Sequence, residues 1–142
     1  MLRDQRAPAP AAETYPIRAE HDLLRTRHAV RAAAVAAGFD LIGQTKIVTA
    51  ASELVRNAYI HGGGGSLVVE QVRSLTGRRG LRLTVRDSGP GIPDLDSAFA
   101  DGYSTGPGLG HGLGGARRLV DEFHLDTGAG EGTTVTVTRW AT

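Results

Sequence analysis

Ser52-Glu53-Leu54-Val55-Arg56-Asn57 lies in a run whose apolar residues, Ile47, Ala50, Ala51, Leu54 and Ala58, recur at i, i+3, i+4, i+7 and i+11. That period predicts a long helix with one core face. Glu53 and Asn57 are four residues apart, which sets them on one side of the helix, about 6 Å apart along its axis. A carboxylate there can accept a proton, and the neighbouring amide oxygen can join an oxygen-rich Mg²⁺ shell. The pair by itself better suits the polar edge of an amphipathic helix, and it is the rest of the chain that reverses that reading.

Working outward, Asp40 is placed to cap this helix, which runs to about His61 and is ended by Gly62 to Gly65. Before it, Glu20 to Ala37 reads as a helix closed by Gly38, and Thr14 to Arg18 as a short edge strand. Residues 1–13, rich in Ala, Pro and Arg, read as a disordered N-terminal segment ahead of one domain over 14–142. After the central helix, Ser66 to Leu75 and Leu81 to Asp87 form a hairpin around Thr76 to Gly80. Leu81, Leu83 and Val85 alternate with Arg82, Thr84 and Arg86, so Asp87 falls on the apolar face. An acid aimed toward a core is costly without a partner, so Asp87 should meet a donor.

Asp94 to Ala100 reads as a short helix, and Asp101 to His111 as a mobile glycine-rich segment. Gly112 to Glu122 is predicted as a helix. Phe123 to Gly128 and Thr133 to Trp140 make a second hairpin, with Thr133, Val135 and Val137 on one face. Hairpins force antiparallel pairing. The expected fold class is α/β in the α+β sense: a two-layer sandwich whose mostly antiparallel mixed sheet is covered on one face by helices.

Composition removes several function classes. At 142 residues, with 40% hydrophobic and 22% charged residues, the chain has the make-up of one globular domain. A net charge of +1 without a basic block gives no electrostatic signal for nucleic acid or an anionic membrane. The absence of cysteine excludes disulfides, zinc fingers and thiol catalysis and is compatible with a reducing compartment. Neither a spanning segment nor an apolar signal core is visible, and a cytoplasmic location is expected. Glycine is over-used, at 20 residues, mostly in three clusters. There is no G-x-x-x-x-G-K-[ST] phosphate loop. Gly110 to Gly115 formally matches G-x-G-x-x-G but follows a loop instead of a strand, which argues against a dinucleotide fold. Glycines at a helix start still let backbone N–H groups approach an anion.

Four ordered pieces now stand together: Glu53 with Asn57; Asp87-Ser88-Gly89-Pro90-Gly91; Gly106 through Gly114; and Gly132-Thr133. In this order they resemble the GHKL-type (Bergerat) ATP-binding domain shared by gyrase, the Hsp90 chaperone, histidine kinases and MutL. The resemblance covers roughly Ile17 to Trp140. Glu-Leu-Val-Arg-Asn, Asp-Ser-Gly-Pro-Gly-Ile-Pro-Asp, Asp-Gly-Tyr-Ser-Thr, Gly-Leu-Gly-His-Gly-Leu and Gly-Glu-Gly-Thr-Thr are most similar to the stand-alone serine/threonine kinases that regulate bacterial sigma factors.

The resemblance implies ATP under a short glycine-rich lid, with Mg²⁺ held by Asn57 and the acceptor hydroxyl oriented or deprotonated by Glu53. It implies Asp87 on the adenine amino group with Thr133 in support, Gly89 and Gly91 passing close to the base, and Ile92 as an apolar wall. Gly106, Gly108, Leu109, Gly110, His111, Gly112 and Leu113 would wrap the phosphates. Where some relatives carry a lid arginine that reaches the terminal phosphate, this chain has Gly110 and His111. The implied partners are a STAS-domain protein substrate and, after release, a PP2C-type phosphatase or a sigma factor. A non-catalytic ATP-binding switch that sequesters a regulator is the alternative. A gyrase- or chaperone-like machine would need a further domain. A histidine kinase would need a two-helix phosphoacceptor module, and His21 and His28 read as helix-surface residues.

Overall fold

Three helices and five strands carry the fold of the computed structural model, which describes residues 12–91, 112–128 and 130–142. In chain order they are β1 (Glu13–Ile17), α1 (Glu20–Ala36), α2 (Leu41–Ile60), β2 (Gly65–Arg73), β3 (Arg79–Asp87), α3 (Gly112–Arg118), β4 (Glu122–Thr127) and β5 (Thr133–Trp140). The short helix expected at Asp94 to Ala100 and the mobile segment expected at Asp101 to His111 lie outside the described residues, as does the N-terminal segment up to residue 11. Glu13, assigned by sequence to that segment, opens β1 instead.

The strands form one sheet in the order β1-β2-β3-β5-β4. Every pairing among them is antiparallel. The two hairpins predicted from sequence are β2–β3 and β4–β5, and the β3–β5 pairing joins them. That pairing sets Asp87 directly opposite Thr133, Val85 opposite Val135 and Leu83 opposite Val137.

The layers close on a core of Leu67, Leu81, Leu83, Val85, Val135 and Val137 from the sheet. The apolar stripe of α2 packs on these residues, with Ile47, Ala50, Ala51, Leu54 and Ala58 all buried. A fully buried Leu contributes about 1.5–3 kcal/mol by removal from water. Leu54→Ala should therefore cost about 2–5 kcal/mol once the cavity it leaves is included.

The helix ends are specified locally. Asp22 reaches back over the start of α1, accepting the Arg18 N–H at 2.9 Å and the Ala19 N–H at 3.0 Å. These two bonds hold its carboxyl below the usual aspartate range. At the far end of α1, Arg79 donates to the Ala36 carbonyl. The Asp40 carboxylate caps α2 by accepting the Gly43 N–H at 2.7 Å. The last turn of α2 closes on one carbonyl, Ala58 O, which accepts from Gly64 N at 2.8 Å and Gly62 N at 3.1 Å.

One element is shorter than its sequence suggests. The helix predicted over Gly112 to Glu122 stops at Arg118. Bonds to β5 take the following residues: Asp121 N–H donates to Thr138 O at 2.9 Å, Trp140 N–H donates to Asp121 Oδ2 at 2.8 Å, and Arg139 Nη1 donates to Leu119 O at 3.0 Å. Among the described residues no helix is long and apolar enough to cross a membrane.

Candidate functional site

The face of α2 that carries Asn57 does not end there. His61 caps the helix one turn further on, so Glu53, Asn57 and His61 follow one another at intervals of four. Asn57 and His61 line a cavity of about 260 Å³ between the C-terminal half of α2 and the ends of β3 and β5. Leu54, Ala58, Val85 and Val135 give it apolar walls, Leu113 of α3 borders it, and Asp87, Thr133, Pro90 and Gly91 close its polar end. A mostly apolar cleft with a few convergent polar groups is the usual form of a small-molecule site.

Asp87 meets the donor that its inward position requires: its Oδ1 accepts the Gly89 N–H at 2.9 Å. The loop after β3 is thereby folded back onto the strand end. The glycine run after α2 packs against the same carboxylate. A Cβ on Gly62 would stand 2.3 Å from Asp87 Cγ, and one on Gly89 would stand 2.6 Å from Gly62 Cα. Only glycine lets these two loops touch and keeps Asp87 in the cavity wall. Gly91 takes φ +82, and a Cβ there would lie 2.2 Å from Gly128 O, so this position too is closed to a side chain. Thr133 is buried, and its hydroxyl shares a 2.9 Å hydrogen bond with that of Thr127.

Asn57 Oδ1 is buried and has no hydrogen-bond partner among the described residues. Buried acceptors are normally satisfied, and one left open costs about 1–3 kcal/mol. A hard oxygen donor in such a cavity is suited to Mg²⁺, which takes few protein ligands and fills its shell with phosphate oxygens and water. No group of three or more His, Cys, Asp or Glu able to hold a metal exists among the described residues, so a metal here would depend on such a shared shell.

The residues anticipated from sequence divide into four groups. Asn57, Asp87, Gly91, Leu113 and Thr133 line the cavity, with Gly89 packed just behind Asp87. Gly112 is buried at the start of α3. Glu53 does not line this cavity. It is 2% exposed and forms the floor of a neighbouring depression of about 290 Å³ with Thr49, Gly115, Arg118 and Leu119. Ile92, Gly106, Gly108, Leu109, Gly110 and His111 lie outside the described residues. Sequence reasoning missed His61 and Gly62. The four-residue step beyond Asn57 was a signal for His61, whereas the contact of Gly62 with Asp87 depends on a strand more than twenty positions away. His21 and His28 are exposed on α1, as expected, as are Arg117 and Arg118 on α3.

Comparison with known proteins defines the class. Residues 43–141 match the family model described as histidine kinase-, DNA gyrase B-, and HSP90-like ATPase, and the chain belongs to that family. Among its relatives, the serine/threonine-protein kinase RsbT of Bacillus subtilis (strain 168) is 44% identical over 124 residues, covering 87% of this chain and 92% of that protein. The anti-sigma F factor of Bacillus licheniformis is 36% identical over 102 residues, covering 67% of this chain and 68% of that protein. Among solved structures, the RsbU and RsbW domains of Rv1364c from Mycobacterium tuberculosis superpose with a TM-score of 0.63 at 28% identity. That match covers 94% of this chain and 33% of that one.

Proposed function

We propose that this chain is an ATP-dependent serine/threonine protein kinase that phosphorylates a STAS-domain protein in a bacterial partner-switching cascade controlling a sigma factor or stress response. The observation that carries the reading is the buried oxygen of Asn57, which has no hydrogen-bond partner among the described residues and lies one turn from the buried carboxylate of Glu53 on the same face of α2. The relative named as a serine/threonine kinase supports it, because the likeness extends over 92% of that protein. Such a role belongs in the cytoplasm, where ATP and sigma factors meet. After transfer, the released kinase binds a PP2C-type phosphatase.

In this reading Asp87 accepts the adenine amino group and Thr133 supports it. Gly89 and Gly91 bring the backbone near the base, and Ile92 adds an apolar contact. Asn57 holds Mg²⁺, which when bound neutralises charge on the phosphates. Backbone N–H groups of the stretch containing Gly106, Gly108, Leu109, Gly110, His111, Gly112 and Leu113 surround the same phosphates. Glu53 takes the proton of the acceptor hydroxyl. Positioning and charge neutralisation then supply most of the rate, as in phosphoryl transfer generally.

The test is incubation with Mg-ATP and candidate STAS-domain proteins, read by intact mass. A partner that gains one phosphate, on serine or threonine, supports the kinase. The likeness to an anti-sigma factor favours a second reading, a non-catalytic ATP-dependent module that sequesters a sigma factor. Stable ATP-dependent capture of a sigma factor without any phosphorylated partner would select that reading.

A further inference from the structure

Three side chains stand in one row across the sheet at the polar end of the cavity. The β3–β5 register sets Asp87 opposite Thr133, and the β4–β5 register sets Thr133 opposite Thr127. Directly opposed residues share a face of the sheet, so all three point the same way. Asp87 and Thr133 line the cavity, whereas Thr127 stands one strand further out and does not. The Thr127 hydroxyl oxygen lies 2.9 Å from that of Thr133 and 3.2 Å from the Gly132 carbonyl oxygen.

Proton counting orders this pair. A hydroxyl has one proton to donate and two lone pairs to accept with, and a carbonyl oxygen only accepts. Both Thr127 contacts are hydrogen bonds at once in a single arrangement: Thr127 donates to Gly132 O, and Thr133 donates to Thr127. The one hydroxyl proton of Thr133 is then turned outward to β4, and its lone pairs are left for the cavity. Asp87 adds a carboxylate, which also only accepts, and its Oδ1 already takes the Gly89 N–H. The two side chains at this end therefore offer acceptors alone. The turn that aims the Gly132 carbonyl is itself held in place. Gly130 N–H donates to Pro90 O at 2.9 Å, and a Cβ on Gly132 would stand 2.1 Å from Asp87 O.

We propose that Thr127 is a positioning residue for base selection: by accepting the hydrogen bond of Thr133 it fixes that hydroxyl as an acceptor toward the cavity. Together with Asp87, this end then favours a group that donates and disfavours one that only accepts. The inference rests on the kinase reading above, in which the base sits at this end. The donor there is the adenine 6-amino group, met directly or through a water. Hypoxanthine carries an oxygen in place of that amino group. Set against two acceptors, that oxygen finds no donor from either side chain, and a site left with unpaired polar groups rejects the analogue. Removing the Thr127 hydroxyl takes away the acceptor that holds the Thr133 proton. Thr133 can then turn its proton into the cavity, and this end gains a side-chain donor that the unmodified protein lacks.

The test is the calorimetric affinity for Mg-ATP and Mg-ITP, the hypoxanthine nucleotide, in the full chain and in Thr127→Val, which keeps the side-chain shape and removes the hydroxyl. The wild-type protein should prefer ATP to ITP. Thr127→Val should cut that preference by about tenfold, the size of one hydrogen bond. Thr127→Ser, which keeps the hydroxyl, should restore the wild-type preference. If the valine variant does not fold, Thr127→Ala adds no bulk and carries the same expectation. A Thr127 that only braces the hairpin would weaken both nucleotides alike. An unchanged ratio of the two affinities therefore overturns the role of Thr127 and leaves the kinase reading standing. Equal wild-type affinities for ATP and ITP overturn the acceptor-only end. A wild-type protein that binds no ATP removes the kinase reading and this inference with it.

Discussion

The two ends of α2 are built to different rules. At its start the cap is local: Asp40 takes the Gly43 N–H at 2.7 Å, and Gln44 Nε2 donates to the Phe39 carbonyl at 3.0 Å. Toward its end the helix buries the Asn57 amide oxygen without a partner among the described residues. Glycines just beyond it bring a second loop into contact with Asp87. Both ends share one apolar stripe, so burial and helix propensity do not separate them. The unmet acceptor does, because folding alone has no use for a buried oxygen that costs about 1–3 kcal/mol. The first end is satisfied by its own neighbours, and the second leaves an acceptor that the proposed function assigns to a ligand.

The largest expected effect comes from Glu53. Glu53→Gln keeps the shape of the side chain and removes its ability to take a proton. Transfer to the partner should fall by about 10²-fold or more while ATP affinity stays nearly unchanged. Asn57→Ala should fail differently, losing the Mg²⁺-dependent part of nucleotide affinity, measured by calorimetry with and without the metal. If Glu53→Gln phosphorylates at the wild-type rate, Glu53 is structural, and only the Asn57 end of the face is functional.

Next in size is Asp87. An ionised carboxylate only accepts hydrogen bonds, and adenine offers an amino donor where guanine offers an oxygen. Asp87→Asn should weaken ATP binding by about 1.5–3 kcal/mol, the usual value for a hydrogen bond to a charged group. The unmodified protein should prefer ATP to GTP, and equal affinities would remove Asp87 from base recognition. Gly62→Ala should act on the same carboxylate from behind. Its Cβ would stand 2.3 Å from Asp87 Cγ, so Asp87 or the glycine loop must shift. An overpacked contact of this kind costs about 1–3 kcal/mol, and here the cost should appear as weaker ATP binding as well as a lower Tm.

Those predictions also mark what was legible in the sequence. Local periodicity placed α1, α2 and the two hairpins within a residue or two, because each carries its own stop signals, such as Asp40 at the start of α2 and the glycines after His61. The inward positions of Asp87 and Thr133 followed from alternation alone, and the two residues are direct cross-strand partners. What sequence could not supply was tertiary. The end of α3 at Arg118 is imposed by bonds from Leu119 and Asp121 to β5, about twenty positions further along. The burial of Glu53 in a depression of its own depends on where α3 packs, which no spacing within α2 encodes. The pairing of β3 with β5, which assembles the cavity, joins segments that carry no signal for each other.

The smallest effect should come from the first end of α2, and it tests the comparison most directly. Asp40→Ala removes the side chain that satisfies the Gly43 N–H, and an alanine has no acceptor to replace it. Loss of an aspartate cap typically costs about 1 kcal/mol of stability, so the unfolding free energy should fall by that amount and the denaturant midpoint should drop with an unchanged slope. ATP affinity should not move. Binding compares the free and loaded folded states, and both keep α2 with the same altered first turn, so the cost of the lost cap cancels. The Asp40 and Asn57 positions are also seventeen residues apart, about 25 Å along the helix at 1.5 Å per residue, too far for a cap to reposition an amide directly. Urea titrations with and without saturating Mg-ATP measure both quantities on one sample. A several-fold loss of ATP affinity in Asp40→Ala would mean that the helix transmits its first turn to its last, and the two ends would then have to be treated as one coupled device.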